Sequence, residues 1–269
     1  MSTSTSPATI QPICYGAEVT APHTRLLRIS LALEESRAYW ENLRLDIPKE
    51  QRPTVAFEER WFSNKSMDRV RRLLAEFSHR YDAYPVALAV LMKWQAVDPI
   101  TRQNLCHWQL QLTDPLYRQF TGEFLGQRRL QRNASIDRDI VARWVTSQTK
   151  SDWSASTTQR MATGLVAAAA AADLCSNSVG NRTLTYPKVT DEALSYWLYF
   201  LRYLSFEGTL LENPYLASVG LSEGFLEQRL RRLPSLAFNR MGELYEFGWK
   251  YSGLEAWARH RIESLKEPE

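Results

Sequence analysis

The stretch that most restricts how this chain can fold runs over residues 136–174, IDRDIVARWVTSQTKSDWSASTTQRMATGLVAAAAAADL. Apolar residues recur at helical spacing on both sides of a short polar segment, which predicts two helices joined by a tight turn. The second helix begins with small polar side chains and one arginine. A helix of this kind, packed crosswise on another helix, is how helix-turn-helix proteins contact DNA.

The predicted contact surface lies at the start of the second helix. Ser154 is the expected N-cap, and the residues expected to face outward are Ser156, Thr157, Gln159, Arg160, Thr163 and Gly164. Gln and Arg side chains can recognise base edges, whereas hydroxyls and free N–H groups can hold phosphate. Arg143 and Lys150 are expected near the flanking DNA backbone. The alternative is a surface helix with an ordinary serine cap and close alanine packing.

A β pattern follows the helix pair, in the segment CSNSVGNRTLTYPKV. Gly180 and Asn181 favour a turn, and the residues after them alternate between polar and apolar. The pattern predicts a β-hairpin, or wing, that carries Arg182 toward the DNA backbone.

Positive charge is concentrated in two zones, although the formal net charge of the chain is only +3. Residues 60–80 hold six Lys and Arg against two acidic residues, and residues 128–160 hold seven against three. Of the 33 basic residues, 26 are Arg, whose planar fork suits phosphate and guanine. A GC-rich genome would favour Arg codons as well.

Two arginine clusters outside the helix pair are further candidates for phosphate contact. Arg69, Arg71 and Arg72 belong to a predicted helix that Ser66 caps, and Arg128, Arg129 and Arg132 belong to a predicted connector at residues 127–133. Arginines along a helix can follow a phosphate backbone and make binding salt-sensitive. The alternative is solvated charge on an exposed surface.

The periodicities predict a mainly α fold: an N-terminal helical bundle plus a C-terminal helical domain with a helix-turn-helix-like unit. The expected divisions are a flexible arm at residues 1–23, a helical bundle at residues 24–130 and a helix-turn-helix-like helical domain at residues 131–269. Helices are expected at residues 24–43 and 54–62, and again at residues 222–233 and 235–247. Asp98-Pro99 and Asp114-Pro115 each predict a helix start.

Composition favours a cytoplasmic globular protein. Hydrophobic residues make up 44% of the chain, and three widely spaced cysteines predict reduced thiols without a disulfide framework. The N-terminus lacks the pattern of a signal peptide. The most apolar run, residues 161–174, is shorter than the roughly 20 residues that span a bilayer.

The sequence contains no recognisable pattern of an enzyme, a metal site or a cofactor site. The four histidines are scattered, and there is no phosphate loop, nucleophile elbow or paired-cysteine motif. Asp98, Asp114 and Asp152 are better explained as helix caps than as metal ligands. We therefore expect binding rather than catalysis.

Two segments resemble a known family: WQLQLTDPLYRQFTGEFLGQRR at residues 108–129 and SDWSASTTQRMATGL at residues 151–165. They are similar to the BrxA proteins of bacterial BREX phage-defence systems, and the resemblance extends from Thr24 to about Gly248. It implies a small helical accessory protein that binds double-stranded DNA. Its implied partners are the methyltransferase, the phosphatase-like protein and the ATPase of the system.

Two alternatives to DNA binding stay open. The chain could be a protein-interaction scaffold of the defence complex with only incidental DNA affinity. It could also be an RNA-binding helical bundle, because basic grooves between helices hold RNA as well.

Overall fold

The fold is mainly α, as the sequence predicts. The computed structural model describes residues 14–264 except residue 97 and residues 149–152, and it leaves the side chain of residue 223 undescribed. Strands within the described residues form three small two-stranded sheets. None of the helices described there combines the length and the apolar composition that a membrane span requires.

The first half of the chain is a series of short helices that follow one short strand. In chain order its elements are β1 (Gly16–Ala17), a 3-10 turn (Arg25–Leu27), α1 (Leu33–Asn42), α2 (Arg52–Glu58), α3 (Met67–Phe77), a π-helical turn (Ser78–Asp82), α4 (Pro85–Trp94), α5 (Pro99–Thr113), α6 (Pro115–Gln119), a second π-helical turn (Phe120–Phe124) and α7 (Leu125–Arg129).

The second half alternates helices with short strands. Its elements are β2 (Ser135–Ile136), α8 (Arg138–Gln148), α9 (Ala155–Ala171), β3 (Arg182–Thr183), α10 (Asp191–Leu201), β4 (Leu204–Ser205), α11 (Pro214–Ser218), α12 (Glu223–Leu230), β5 (Leu236–Met241), β6 (Leu244–Trp249) and α13 (Leu254–Ser264).

Side-chain caps set several helix starts where the sequence predicts them. Ser66 accepts a hydrogen bond from Arg69 N at the start of α3, and Asp98 accepts one from Thr101 N at the start of α5. Asp114 caps α6 in the same way, through Tyr117 N. Methionine or proline follows each cap at the first helical position. The N–H group at this position has no partner within the helix, so its absence in proline does not destabilise the helix.

The expected helix over residues 24–43 is interrupted, and this prediction was wrong. A 3-10 turn at Arg25–Leu27 is followed by a segment without regular secondary structure, and α1 begins only at Leu33, after Ala32 with a φ of 51°. The buried Arg80 side chain donates hydrogen bonds to the carbonyls of Ser30 and Leu31. Those carbonyls are therefore taken by a distant arginine instead of by helical N–H groups.

The expected helix over residues 235–247 was also wrong, because this segment forms a β-hairpin. β5 pairs antiparallel with β6 in an unbroken register from Leu236↔Trp249 to Met241↔Leu244. Gly242, with a φ of 63°, occupies the turn between them. The alternation of Tyr245, Phe247 and Trp249 was the available signal for a strand.

The buried apolar residues form one cluster that draws on both halves of the chain, from Tyr15 to Ala258. Trp108 of α5 stacks on Trp197 of α10 with 5.3 Å between ring centroids. Tyr15 stacks on Phe200, and β1 runs parallel to β4 beside it. Residues 14–23 of the predicted arm thus lie against the body, while residues 1–13 lie outside the described residues. The division of the chain at residues 23 and 130 stays a prediction.

His107 is enclosed in this core and touches groups from two other helices. Its ring nitrogens lie 2.9 Å from the Tyr117 hydroxyl and 2.9 Å from Ser218 Oγ. Because Ser218 Oγ donates to the Tyr215 carbonyl, it accepts from the His107 Nε2–H group. Burial lowers the pKa of His107 to about 3, so the ring is neutral in the folded protein.

Acid should therefore destabilise the fold in part through His107. Between pH 6.5 and pH 3 the unfolded chain binds a proton at this histidine and the folded chain does not. Its contribution to stability is fully present above pH 6.5 and falls by about 1.4 kcal/mol per pH unit below it. Urea unfolding at pH values from 7 to 5 should show a steeper loss for the wild type than for His107→Gln. Equal slopes would contradict the buried neutral ring.

Candidate nucleic-acid interface

The predicted helix pair corresponds to α8 and α9, which pack against each other along their apolar faces. Val141 and Val145 of α8 and Met161 and Leu165 of α9 are all fully buried. Ser154 caps α9, accepting a hydrogen bond from Thr157 N at 3.2 Å, as expected. The link between the two helices includes residues 149–152, so Lys150 and Asp152 lie outside the described residues.

One stripe of α9 faces away from the body. Ser156, the adjacent Gln159 and Arg160, and Thr163 are exposed along it in successive helical turns, and Thr157 beside them is partly buried. Gly164 was expected to face outward as well, but it lies against the 3-10 turn of the first half. A Cβ atom at Gly164 would lie 3.4 Å from Leu26 Cγ. Most of the exposed residues of α9 therefore lie in its first half, and Ala167 is exposed beyond them.

The segment after α9 closes as a hairpin beside the helix pair. Cys175 forms an antiparallel bridge with Leu184, and Ser176 N donates to the Thr183 carbonyl at 2.9 Å. The returning strand, β3, also pairs antiparallel with β2, the short strand that precedes α8. The order of elements is thus helix, strand, helix, helix and hairpin, with the hairpin folded back onto the first strand.

A groove of about 540 Å³ lies between the start of α8, the outer side of α9 and the tip of the hairpin. Thr163 and Ala167 line it from α9, and Asn181 and Arg182 line it from the hairpin. Val179, at the hairpin tip, is fully exposed. Asp139, at the start of α8, also lines the groove and lies 3.6 Å from the Arg138 guanidinium.

Three of the predicted phosphate-binding arginines are hydrogen-bonded to the backbone of this hairpin and its neighbouring strand. Arg128 donates to the Ser135 carbonyl at 2.8 Å. Arg182 donates to the Ser176 carbonyl at 3.0 Å. Since these guanidinium groups join α7, β2 and the hairpin, they hold the β2–β3 sheet in position.

Arg129 is the third of them and the most enclosed. It donates to the Thr185 carbonyl at 2.7 Å, and its guanidinium carbon lies 4.0 Å from the centroid of the Tyr186 ring. Burial lowers the pKa of Arg129 below its usual range. This arginine fixes the end of the hairpin to α7.

The arginine cluster on α3 lies beside the same turn that packs on α9. Arg69 donates to the Arg28 carbonyl at 2.9 Å, and Arg71 lies 3.7 Å from Asp68. Arg72 is exposed. Because Leu26 contacts α9 and Arg28 contacts α3, the 3-10 turn connects the two basic zones.

Two further arginines lie at this junction, and no sequence pattern pointed to them. Arg25 and Arg28 lie 3.2 Å and 3.1 Å from the two carboxylate oxygens of the buried Glu76. Two positive charges on one carboxylate leave a net positive site, and Arg28 remains 62% exposed. Only the tertiary contact between this turn, α3 and α9 brings them near the candidate interface.

Within the part of the chain that the structure describes, four of the predicted site arginines are exposed and have neither a hydrogen bond nor an ion pair: Arg72, Arg132, Arg143 and Arg160. Their charges are available to a ligand. The described residues contain no group of three or more His, Cys, Asp or Glu side chains that could hold a metal ion.

The comparisons with known proteins identify the family. The family model for BrxA matches residues 23–197, well over half of the chain. The chain belongs to the BrxA family. Membership indicates a component of a BREX phage-defence system. Among curated proteins, none matches the chain. The matched region contains α8, α9 and the hairpin, so the candidate interface lies within the BrxA match.

Replacing Arg129 by Ala should destabilise the protein by about 1.5–3 kcal/mol, since its charge-assisted hydrogen bond to the Thr185 carbonyl and its contact with the Tyr186 ring would be lost. Arg132→Ala is the matched control, because Arg132 is exposed and should change stability by less than about 0.5 kcal/mol. Chemical denaturation of both variants measures the difference. Equal stabilities would show that Arg129 does not brace the hairpin.

Proposed function

We propose that this BrxA-family chain is a non-enzymatic, double-stranded DNA-binding component of its BREX system, with α9 as the helix that enters the major groove. One observation carries the proposal: the first half of α9 is exposed beside a hairpin and carries groups that suit DNA. Gln159 and Arg160 offer side chains for base edges, and Ser156 and Thr157 offer hydroxyls for phosphate.

The order of the elements supports this assignment. A helix, a short strand, two packed helices and a hairpin that pairs with that strand form the arrangement of winged helix-turn-helix domains. In such domains the second helix of the pair contacts DNA bases and the wing lies along the neighbouring backbone. By this comparison α8 would brace α9, and the hairpin at Cys175–Leu184 would be the wing.

The arginines divide into two roles. Arg143 and Arg160 are exposed and have no partner among the described residues, which suits direct contact with DNA. Arg128, Arg129 and Arg182 donate hydrogen bonds to carbonyls of β2, of Thr185 and of the wing, respectively, and would act chiefly by holding the wing in place, with phosphate contact as a secondary role. Lys150 would contact the backbone at the turn between α8 and α9.

A second patch would extend the contact beyond the helix pair. Arg69, Arg71 and Arg72 on α3 lie beside the turn that packs on α9, and Arg132 precedes β2. Sequence-independent contacts to phosphate from these residues would lengthen the footprint on the duplex. We further propose that the protein acts in the cytoplasm beside the methyltransferase, the phosphatase-like protein and the ATPase of the system.

The scaffold alternative is favoured by one surface. A groove of about 830 Å³ includes Tyr186 and Phe225, which are 52% and 55% exposed, and aromatic side chains are frequent anchors of protein interfaces. A scaffold would bind partner subunits strongly and duplex DNA weakly. An RNA-binding bundle would bind RNA in preference to a DNA duplex.

The test is a duplex-DNA binding titration across salt concentrations with the variant Arg143→Ala/Arg160→Ala. Each lost phosphate contact should reduce the slope of log affinity against log salt by about 0.9. With Arg143 on phosphate and Arg160 on a base edge, the slope falls by about 0.9 through Arg143, and the loss of both contacts lowers the affinity at moderate salt by roughly tenfold or more.

Arg232→Ala/Arg259→Ala is the matched control. Both residues are exposed, Arg232 in the turn between α12 and β5 and Arg259 on α13, and the variant loses the same net charge. It should keep the wild-type slope. Wild-type protein that binds duplex DNA no more tightly than RNA, or equal slopes in the two variants, would refute the proposed interface.

A further inference from the structure

We propose that four arginines around the buried Glu76 form a phosphate-binding site for the DNA strand that lies on the side of α9 opposite the hairpin. We call this set the junction cluster, and its members are Arg25, Arg28, Arg69 and Arg72. The proposal rests on the proposed function, since it takes α9 as the helix that enters the major groove. It adds that both backbone strands bordering that groove are held, one by the hairpin and the other by the junction cluster.

The exposed stripe of α9 has different neighbours on its two sides. On one side Thr163 and Val166 line the groove next to the hairpin tip. On the other side Gly164 lies against Leu26 of the 3-10 turn. Because successive residues of an α-helix are rotated by about 100°, Val166 and Gly164 lie about 160° apart around the helix axis. The hairpin and the 3-10 turn therefore flank the stripe from opposite sides.

The two side chains proposed to meet base edges lie between these flanking elements. Gln159 precedes Thr163 by one helical turn and lies on the hairpin side, whereas Arg160 precedes Gly164 by one turn and lies on the side of the 3-10 turn. The major groove of B-DNA is about 12 Å wide, and a phosphate backbone borders it on each side. A helix inserted there with this stripe against the bases has one backbone strand near the hairpin and the other near the 3-10 turn.

Contacts between α3 and the 3-10 turn fix the geometry of the junction cluster. At one end of the α3 face, Arg69 donates to the Arg28 carbonyl at 2.9 Å. At the other end, Glu76 accepts hydrogen bonds from the guanidinium groups of Arg25 and Arg28 at 3.2 Å and 3.1 Å. Residues three, four and seven positions apart share one side of a helix, so Arg72, between these two ends, lies beside the same turn.

The junction cluster presents positive charge to solvent. Four guanidinium groups and one carboxylate leave a net charge of +3. The carboxylate is turned inward, since Glu76 is only 3% exposed, whereas Arg28 and Arg72 are exposed. The neighbouring Arg71 lies 3.7 Å from Asp68, and that pair adds no net charge. A phosphate group at this surface would meet guanidinium groups before it met the carboxylate.

Arg28 is held in a position that suits contact with phosphate. Its Nη1 donates to Glu76, and no other described residue accepts a hydrogen bond from its side chain. An arginine has five N–H donors, so donors remain for a ligand. Because the bond to Glu76 already orders this side chain, binding would cost less side-chain entropy than for an arginine that is free to rotate.

A duplex-DNA titration across salt concentrations with Arg28→Ala tests the proposal. Loss of one phosphate contact should reduce the slope of log affinity against log salt by about 0.9 and lower the affinity at physiological salt by roughly fivefold. Arg28→Ala/Arg72→Ala should reduce the slope by about 1.8. Arg28→Lys keeps the charge and should keep most of the slope, which separates a phosphate contact from a purely structural role.

Arg259→Ala is the matched control, because Arg259 is exposed on α13 and its loss changes the net charge by the same amount. It should keep the wild-type slope. If Arg143→Ala/Arg160→Ala weakens duplex binding but Arg28→Ala keeps the wild-type slope, the junction site is wrong and the assignment of α9 stands. If Arg143→Ala/Arg160→Ala binds duplex DNA as the wild type does, both the proposed function and the junction site are wrong.

Hydrogen exchange of the wild type gives a second measurement that needs no variant. The amides of Leu27 and Arg28 donate hydrogen bonds within the 3-10 turn, to the carbonyls of Thr24 and Arg25. A duplex held at both borders of its groove should slow exchange at these two amides as well as in the hairpin. Slower exchange in α9 and the hairpin, with the 3-10 turn unchanged, would overturn the junction site.

Discussion

The close packing of α9 is the constraint on which the candidate interface depends. Ala162, Ala168 and Ala169 are fully buried, and Gly164 lies against Leu26, so small side chains let α8 and the 3-10 turn approach the α9 backbone. Because most residues of the second half of the helix are buried, its direction is fixed. The capped first half then projects from a rigid support, which is what a helix that contacts DNA requires.

A second consequence of this packing is that arginine serves two purposes in the same region. Arg128, Arg129 and Arg182 bind carbonyl oxygens of the hairpin and β2, where their five donors can hold irregular backbone that has few ladder hydrogen bonds. Arg143 and Arg160 are exposed, and no other described residue forms a hydrogen bond or an ion pair with their side chains. The arginine content of the chain therefore cannot be equated with DNA contacts, since part of it stabilises the fold.

Sequence patterns predicted those parts of the fold that depend on interactions between residues close together in the chain. Caps such as Ser66, Asp98 and Ser154 were found from the sequence because a cap involves residues only three positions apart. The break before α1 was missed because its cause, Arg80, lies about fifty residues away. The β5–β6 hairpin was missed because its strands are short and partly polar.

The same limit applies to the candidate interface. The helix pair and the hairpin were predictable from periodicity and turn residues, and the family resemblance pointed the same way. The sequence could not predict which arginines hold the hairpin in place and which are exposed for contact with a ligand. That distinction depends on which carbonyl groups lie near each guanidinium in the folded protein. The position of Arg25 and Arg28 between the two basic zones likewise depends on tertiary contacts.

Hydrogen exchange of the protein with and without a DNA duplex tests the central claim most directly, because it reports the contacted backbone without any mutation. The expected result is slower exchange at the start of α9, residues 154–160, and in the hairpin at residues 176–183, with no change at β5 and β6. Slower exchange confined to the segments after residue 190, with α9 and the hairpin unaffected, would contradict the assignment of α9 as the DNA-contacting helix.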